Sequence, residues 1–300
     1  MVIQPFEEPI YVSRPLLPKL DKFYDKLYEI WDEKWLTNNG RQLKLFEEKL
    51  LDYLRVPNIS VFNNGTSALL AGVKVLELTG EVITTPFTFA ATPHAIALNQ
   101  LDTVFCDIDP VTMNIDPLKI EEAITPKTSA ILAVHVFGTP CDVYRIQDIA
   151  DKHNLKVIYD GAHAFGCEIN GTSIGNFGDL TMFSFHATKL FHTSEGGALS
   201  YNDESLDERL SLFKNFGIAN EEEVKLIGFN GKMNEIQAVM GQLVLDLVDE
   251  EQKRRAEIFE LYQRNLASIE GITIMPQLQN VKNSYQYFVI RIDESKFKKK

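Results

Sequence analysis

The stretch Ser184–Gly197 reads SFHATKLFHTSEGG and passes from a strand-like run into a Gly-Gly turn. Apolar and hydroxyl-bearing residues surround Lys189, which indicates an amine with little access to water. Desolvation disfavours the charged form of lysine and can lower its pKa substantially. A neutral amine is the form that attacks a carbonyl carbon to give a Schiff base. Most lysines are solvated surface charges, so this interpretation needs support from other parts of the chain.

A carboxylate at the end of an apolar strand gives the first support. The segment Leu155–Gly166 reads LKVIYDGAHAFG, so Asp160 stands at the carboxyl end of the run and His163 follows it closely. Open α/β sheets bind ligands at the carboxyl ends of their strands. Taken alone, such an aspartate is more often a turn cap, and such a histidine is more often a buried structural imidazole.

A helix start rich in small and hydroxyl residues gives the second support. The sequence NNGTS, residues 63–67, precedes the helical run SALLAGVKVLEL. Gly65 permits close approach of the backbone, and Thr66 and Ser67 offer hydroxyls and amides at the helix start. Helix N-termini bind phosphate in this way, although an ordinary N-cap is the commoner reason for the pattern. We name Gly65, Thr66 and Ser67 the phosphate cup.

The three features together predict a pyridoxal phosphate site in an enzyme. In such a site an aspartate keeps the pyridine nitrogen protonated, so that the ring accepts electrons. The phosphate cup anchors the phosphate group. The lysine binds the cofactor covalently as a Schiff base and later moves a proton.

The chain resembles the sugar aminotransferases of the DegT/DnrJ/EryC1/StrS family, which have the aspartate aminotransferase fold. The matching motifs stand in the family's order and at its spacing. They are WLTNNG (35–40), NNGTSAL (63–69), TTPFTFAATPHAI (84–96), AVHVFGTPCDV (133–143), YDGAHAFG (159–166), SFHATKLFHTSEGG (184–197) and FNGKMNEIQA (229–238).

The resemblance implies roles for individual residues around the cofactor ring. Lys189 matches the Schiff-base lysine, and Asp160 matches the partner of the ring nitrogen. Phe89 matches the aromatic residue that stacks on the ring, and His163 matches the histidine beside it. His186 is a candidate contact to phosphate or sugar, with a packing role equally compatible with its position.

The resemblance also implies a shared phosphate site and hence a homodimer. Ser184 matches a hydroxyl near the phosphate, as do the residues of the phosphate cup, Gly65, Thr66 and Ser67. Asn230 matches an asparagine that reaches the phosphate of the neighbouring subunit. Each active site would then be completed only when two chains associate.

The expected fold class is α/β, with a mostly parallel sheet flanked by helices, as in pyridoxal phosphate fold type I. Apolar runs alternate with helical periodicity along the chain, which is typical of such a sheet. We expect a large cofactor-binding domain over residues 1–231, including two N-terminal helices. A connector helix from Lys232 and a small C-terminal domain would occupy residues 232–300. The family's small domain continues further, so we expect this one to be incomplete.

Composition is consistent with a globular enzyme and excludes several other classes. The chain has 300 residues, of which 45% are hydrophobic and 24% charged, enough for a sizeable core. A net charge of −12 argues against nucleic-acid binding through a basic face. No apolar run has membrane-spanning length, and the N-terminus lacks the order of a signal peptide, so we expect a cytoplasmic protein. Cys106, Cys141 and Cys167 lack metal-ligand spacing, and we expect reduced thiols and no metal.

The turn after Lys189 bears on the sugar substrate. Family members that aminate carbon 3 usually have GDGG there, whereas this chain has SEGG at residues 194–197. The sequence is most similar to members that make dTDP-4-amino-4,6-dideoxyglucose, using L-glutamate as amino donor and dTDP-4-keto-6-deoxyglucose as acceptor.

Three alternatives remain open. Amination at carbon 3 is the first. A sugar 3-dehydratase is the second, and it is disfavoured because those family members replace the lysine with histidine, whereas Lys189 is present here. The third is a shortened, inactive chain that acts only as a binding partner or has no function; it is suggested by the end of the sequence at Lys300.

Overall fold

The computed structural model describes residues 6–297, so residues 1–5 and 298–300 of the two expected domains lie outside it. The helices are α1 (Leu20–Glu33), α2 (Arg41–Leu54), α3 (Gly65–Val75), α4 (Ala91–Leu98), α5 (Pro117–Ala123), α6 (Val143–His153), α7 (Leu206–Phe213), α8 (Glu235–Leu245) and α9 (Val248–Leu266). The strands are β1 (Asn58–Phe62), β2 (Glu81–Thr84), β3 (Asp102–Phe105), β4 (Thr128–Val134), β5 (Lys156–Asp160), β6 (Glu168–Ile169), β7 (Thr172–Ser173), β8 (Leu180–Ser184), β9 (Gly197–Tyr201), β10 (Ile272–Ile274), β11 (Val281–Lys282) and β12 (Ile290–Ile292).

A seven-stranded sheet in the order β1-β9-β8-β5-β4-β2-β3 forms the centre of the molecule. Strand β9 runs antiparallel to both of its neighbours, and the other pairs are parallel. The carboxyl ends of β1, β2, β4, β5 and β8 therefore meet at one edge. The predicted α/β class and mostly parallel sheet are confirmed.

Both faces of the sheet are covered, which explains why its strands are continuous apolar runs. In β5, Val157 and Tyr159 belong to one hydrophobic cluster, and Ile158 between them belongs to the other. The same alternation holds in β4 for Ile131 and Leu132. Successive side chains of a strand point to opposite faces, so the two clusters lie on opposite sides of the sheet.

Helix ends follow from local sequence at several points. The run DVYRIQDIADKHN (142–154) predicts a helix capped by Asp142, and the structure confirms it, because the Asp142 carboxylate accepts a hydrogen bond from the Arg145 amide at 3.2 Å. Asn234 and Gln237 form a reciprocal capping box at the start of α8. Such caps satisfy amide groups that have no partner inside the helix.

The long connector helix expected from Lys232 is wrong in its extent. The chain forms two helices there, with a break at residues 246–247. The apolar helix α8 packs against α1 and α2 and contributes Ala238 and Val244 to the core, whereas α9 is charged along most of its length. The apolar first half of the run is therefore buried, the charged second half is mostly solvated, and the helix is interrupted between them.

Two other element boundaries differ from expectation. The run DESLDERLSLFKNFG (203–217) predicts a helix that ends at Gly217, but α7 ends at Phe213, and Gly217 lies in the following turn with φ of +76°. The run SYQYFVIRI (284–292) predicts a strand, but within it only β12 forms one, paired with β10. In the preceding segment, Ser284, Gln286 and Tyr287 contact loops of the large sheet through their side chains, and Tyr285 and Phe288 pack on Phe259 of α9.

No helix within residues 6–297 is long and apolar enough to cross a membrane.

Candidate active site

A cavity of about 620 Å³ opens at the sheet edge where the parallel strands end. Most of the residues singled out from the sequence line it, and they come from four separate parts of the chain. They are Gly65, Thr66, Phe89, Asp160, His163, Ser184, His186 and Lys189. Ser67 and Asn230 are not among the lining residues. We call this space the active-site cavity.

Lys189 lies in the irregular loop between β8 and β9, where its amide donates to the His186 carbonyl at 2.9 Å. Its side chain lines the active-site cavity and is partly buried. Burial lowers the pKa of the Lys189 amine, and the nearby Asp160 carboxylate opposes this effect. The amine is therefore easier to deprotonate than an ordinary lysine, as nucleophilic attack requires.

Asp160 ends β5 and is only 4% exposed. One carboxylate oxygen accepts the Ala162 amide at 3.1 Å, and the other accepts the Thr92 hydroxyl at 2.7 Å. Burial raises the pKa of the Asp160 carboxyl, whereas these hydrogen bonds and the Lys189 charge favour ionisation. The two hydrogen bonds fix the plane of the carboxylate at the cavity wall.

His163 is a neutral imidazole at the side of the cavity. Burial and the positive charge of Lys189 lower its pKa to about 4. Its ring meets the Tyr287 ring edge to face, with centroids 5.0 Å apart at an angle of 78°. Tyr287 belongs to the C-terminal part of the chain, so residues far apart in sequence close this side of the cavity.

The phosphate cup lies at the first turn of α3. The Asn64 side chain accepts the Ser67 amide at 2.8 Å, so the Ser67 amide is engaged within the cap. Gly65 and Thr66 precede it in the first turn, where amides have no partner inside the helix. A Cβ on Gly65 would lie 2.9 Å from Ser184 Cβ, so a larger residue would displace one wall of the cup.

Phe89 projects into solvent at the cavity rim, and 78% of the residue is exposed. An aromatic face left open beside a pocket is available for stacking on a planar ring. Phe87, next to it on the same loop, packs edge to face against Phe137.

His186 and Glu195 stand together at the cavity mouth. Their side chains are 3.4 Å apart and about half exposed. The His186 Nδ1 atom also lies 2.9 Å from the Thr188 hydroxyl. These contacts hold His186 beside the opening and leave it accessible to a bound substrate.

Asn230 does not line the cavity of its own chain. Its carbonyl accepts the Asn63 side-chain amide at 3.2 Å, beside the phosphate cup. Its role toward a neighbouring subunit stays a prediction.

The arrangement fits pyridoxal phosphate on the chemistry of its donors. First-turn amides and the Ser184 hydroxyl suit a phosphate, an exposed aromatic ring suits a planar heterocycle, and a buried carboxylate suits a ring nitrogen that carries a proton. Lys189 lines the same cavity, as covalent binding of a carbonyl would require.

Within residues 6–297, no group of three or more His, Cys, Asp or Glu side chains could hold a metal. Cys106, Cys141 and Cys167 are free and buried.

Sequence reasoning missed several residues of the site. Thr92 lies inside the quoted motif TTPFTFAATPHAI, but only the structure places its hydroxyl on Asp160. Glu195 lies in the SEGG turn at residues 194–197, and its side chain also lines the cavity. The sequence around Tyr287 does not indicate a site residue, because its contact with His163 depends on the path of the C-terminal segment.

Comparison with known proteins agrees with this geometry. The model of the DegT/DnrJ/EryC1/StrS aminotransferase family matches residues 20–300. A dTDP-4-amino-4,6-dideoxy-D-glucose transaminase of Shigella dysenteriae is 49% identical over 288 residues, which cover 96% of this chain and 78% of the relative. A crystal structure of DesI in the presence of its TDP-sugar product matches with a TM-score of 0.92 at 37% identity, covering 97% of this chain and 74% of that one. The PLP form of the putative sugar aminotransferase Spr1654 from Streptococcus pneumoniae matches with a TM-score of 0.88 at 26% identity, over 95% of this chain and 78% of that one.

Proposed function

The chain belongs to the DegT/DnrJ/EryC1/StrS aminotransferase family, and we propose that it transfers an amino group from L-glutamate to dTDP-4-keto-6-deoxyglucose. The product is dTDP-4-amino-4,6-dideoxyglucose, and the cofactor is pyridoxal phosphate. The observation that carries the proposal is the convergence of Lys189, Asp160 and the start of α3 on one cavity. The relative named above supports the choice of sugar and carbon.

Pyridoxal phosphate supplies an electrophilic carbonyl carbon and a ring that withdraws electrons from the reacting carbon. Asp160 is the group that would hold a proton on the ring nitrogen, because its carboxylate is buried, fixed by two hydrogen bonds and near Lys189. The amides of Gly65 and Thr66 and the Ser184 hydroxyl would bind the phosphate. Phe89 and His163 would enclose the ring.

Lys189 has two tasks in this proposal. Its partly desolvated amine would first bind the cofactor covalently. Once released, Nζ would accept the proton from the α-carbon of glutamate and later deliver one to carbon 4 of the sugar. His186, held at the cavity mouth by Glu195 and Thr188, would contact the incoming sugar nucleotide.

We also propose a cytoplasmic homodimer in which Asn230 reaches the phosphate of the other subunit. An exposed aromatic surface near the N-terminus supports association, since contiguous apolar surface usually marks an interface. It comprises Tyr24, Tyr28, Trp31 and Trp35.

Complementation between inactive variants tests the dimer. If Asn230 serves the neighbouring site, a mixed dimer of Lys189→Ala and Asn230→Ala contains one site with both native residues. Mixing and reassociating the two proteins should restore turnover above that of either parent. If the mixture shows only the averaged activity of its parents, Asn230 does not act across the interface.

The test of the reaction is product identification. The purified chain, pyridoxal phosphate, glutamate and dTDP-4-keto-6-deoxyglucose should give an amino sugar nucleotide, with NMR placing the nitrogen on carbon 4. Lys189→Ala serves as the matched control for uncatalysed amination. Amination only of a 3-keto-sugar would reassign the carbon, and no amino sugar with either substrate would refute the function.

A further inference from the structure

Residues 284–287 run from the C-terminal part of the chain onto the loops of the active site. The Ser284 hydroxyl donates to the His163 carbonyl at 2.8 Å, and the Ser284 amide lies 3.1 Å from Cys167 Sγ. Tyr287 packs against the His163 ring. Contacts on both sides of Gln286 therefore fix the position of this residue relative to the large sheet.

Gln286 is 7% exposed and both ends of its side-chain amide are engaged. Its Oε1 accepts the Leu190 amide at 2.6 Å, and its Nε2 donates to the Thr188 carbonyl at 3.1 Å. These two backbone groups flank Lys189 on either side. Among residues 6–297, the Gln286 side chain is the group that hydrogen-bonds to the Leu190 amide and to the Thr188 carbonyl.

The loop that carries Lys189 depends on such contacts. Between Ser184 and Gly197 the chain forms neither helix nor strand, so its peptide groups are not oriented by a regular hydrogen-bond pattern. Turning the peptides next to Lys189 would leave the buried Leu190 amide and the partly buried Thr188 carbonyl without partners, which is costly. Gln286 itself is not among the residues that line the cavity.

We propose that Gln286 is a positioning residue for Lys189. Its amide holds the backbone on both sides of the lysine and thereby aims Nζ into the cavity. The inference rests on the proposed role of Lys189 as the residue that binds the cofactor. It gives the C-terminal segment a direct part in organising the site.

Two variants separate the hydrogen bonds from packing. Gln286→Met keeps the approximate volume and removes both bonds. Gln286→Glu keeps the acceptor for Leu190, but it can donate to the Thr188 carbonyl only when its carboxyl is protonated. Tyr285→Phe is the control, because it alters the adjacent residue while keeping the ring that packs on Phe259.

The assay is the rate constant for growth of the long-wavelength absorbance band after the cofactor-free protein is mixed with pyridoxal phosphate. Borohydride reduction and peptide mapping then report whether Lys189 carries the label. Gln286→Met should capture the cofactor about 100-fold more slowly, the scale expected when a reacting group is misplaced by about 1 Å. Tyr285→Phe should match wild type.

The pH dependence of Gln286→Glu provides an internal test that does not depend on the folding of the methionine variant. The ratio of its rate constant to that of wild type should be near one when the carboxyl is protonated and should fall as pH rises. A constant ratio near one at every pH, or wild-type capture by folded Gln286→Met, overturns the inference. If wild type itself never labels at Lys189, the proposed function fails and the inference fails with it.

Discussion

Replacing Thr92 with valine tests how hydrogen bonds hold Asp160, the residue proposed to keep the ring nitrogen of the cofactor protonated. The substitution keeps the shape of a fully buried side chain and removes the hydroxyl that donates to Asp160 at 2.7 Å. The Thr92 hydroxyl in turn lies 2.7 Å from that of Thr88. The Ala162 amide on the other carboxylate oxygen is left in place.

The magnitude follows from the charge of the acceptor. A hydrogen bond to a charged group contributes about 1.5–3 kcal/mol. At about 1.4 kcal/mol per tenfold change in rate, its complete loss corresponds to roughly 10- to 100-fold. We expect Thr92→Val to slow the half-reaction with glutamate by that factor at most.

The direction of the pH dependence is also fixed. The Thr92 bond lowers the pKa of Asp160, against the rise caused by burial, so removing the bond raises the pKa further. The ionised carboxylate then becomes scarcer at low pH. The rate constant of Thr92→Val for the half-reaction with glutamate should therefore fall further below that of wild type as pH falls, and approach it as pH rises.

Stopped-flow decay of the long-wavelength band after addition of glutamate measures this rate constant directly. Thr92→Ser retains the hydroxyl and should recover most of the rate, and Thr88→Val should have a smaller effect because it leaves the bond to Asp160 intact. A folded Thr92→Val protein with full cofactor content and a wild-type rate constant at every pH would refute the reasoning.

The remaining predictions concern other parts of the cavity. Lys189→Ala should abolish turnover while retaining noncovalent cofactor, since the phosphate and ring contacts remain; turnover at the wild-type rate would remove Lys189 from its role. Asp160→Asn should lower the rate by about 100-fold or more, because the ring nitrogen loses its charged partner, and near-normal activity would leave the aspartate as a turn cap. Gly65→Ala should destabilise the protein by about 1–3 kcal/mol in thermal or chemical unfolding, because its Cβ would lie 2.9 Å from Ser184 Cβ, and Ser184→Gly in the same chain should relieve much of that cost. Cofactor capture should increase with pH with a midpoint below the ordinary lysine pKa of 10.5, because burial lowers the pKa of Lys189; a midpoint at or above that value would contradict a desolvated amine.

The strands and helix starts that depend on neighbouring residues could be predicted from the sequence. Apolar runs ending at Asp160 and Ser184 define parallel strands whose ends must share one edge, and Gly65 at a helix start follows from local pattern. The break between α8 and α9 could not be predicted in the same way, because no Gly or Pro marks residues 246–247. Only the fold shows that α8 is buried against α1 and α2 while α9 is mostly solvated.

Contacts between distant segments were equally inaccessible. Gln286 has nothing in its sequence neighbourhood that links it to Lys189, yet two hydrogen bonds join them through the flanking backbone. Thr92 and Asp160 are likewise joined only after β5 and the start of α4 come together. Local pattern identified the reacting groups, whereas the residues that orient them required the fold.

The most direct test of the account is an absorption spectrum of the purified chain with pyridoxal phosphate, followed by addition of glutamate. We predict a long-wavelength band that depends on Lys189, and its replacement by the shorter-wavelength band of pyridoxamine phosphate once glutamate is present. A folded protein that never develops the long-wavelength band would contradict the assignment of Lys189 and, with it, the aminotransferase function.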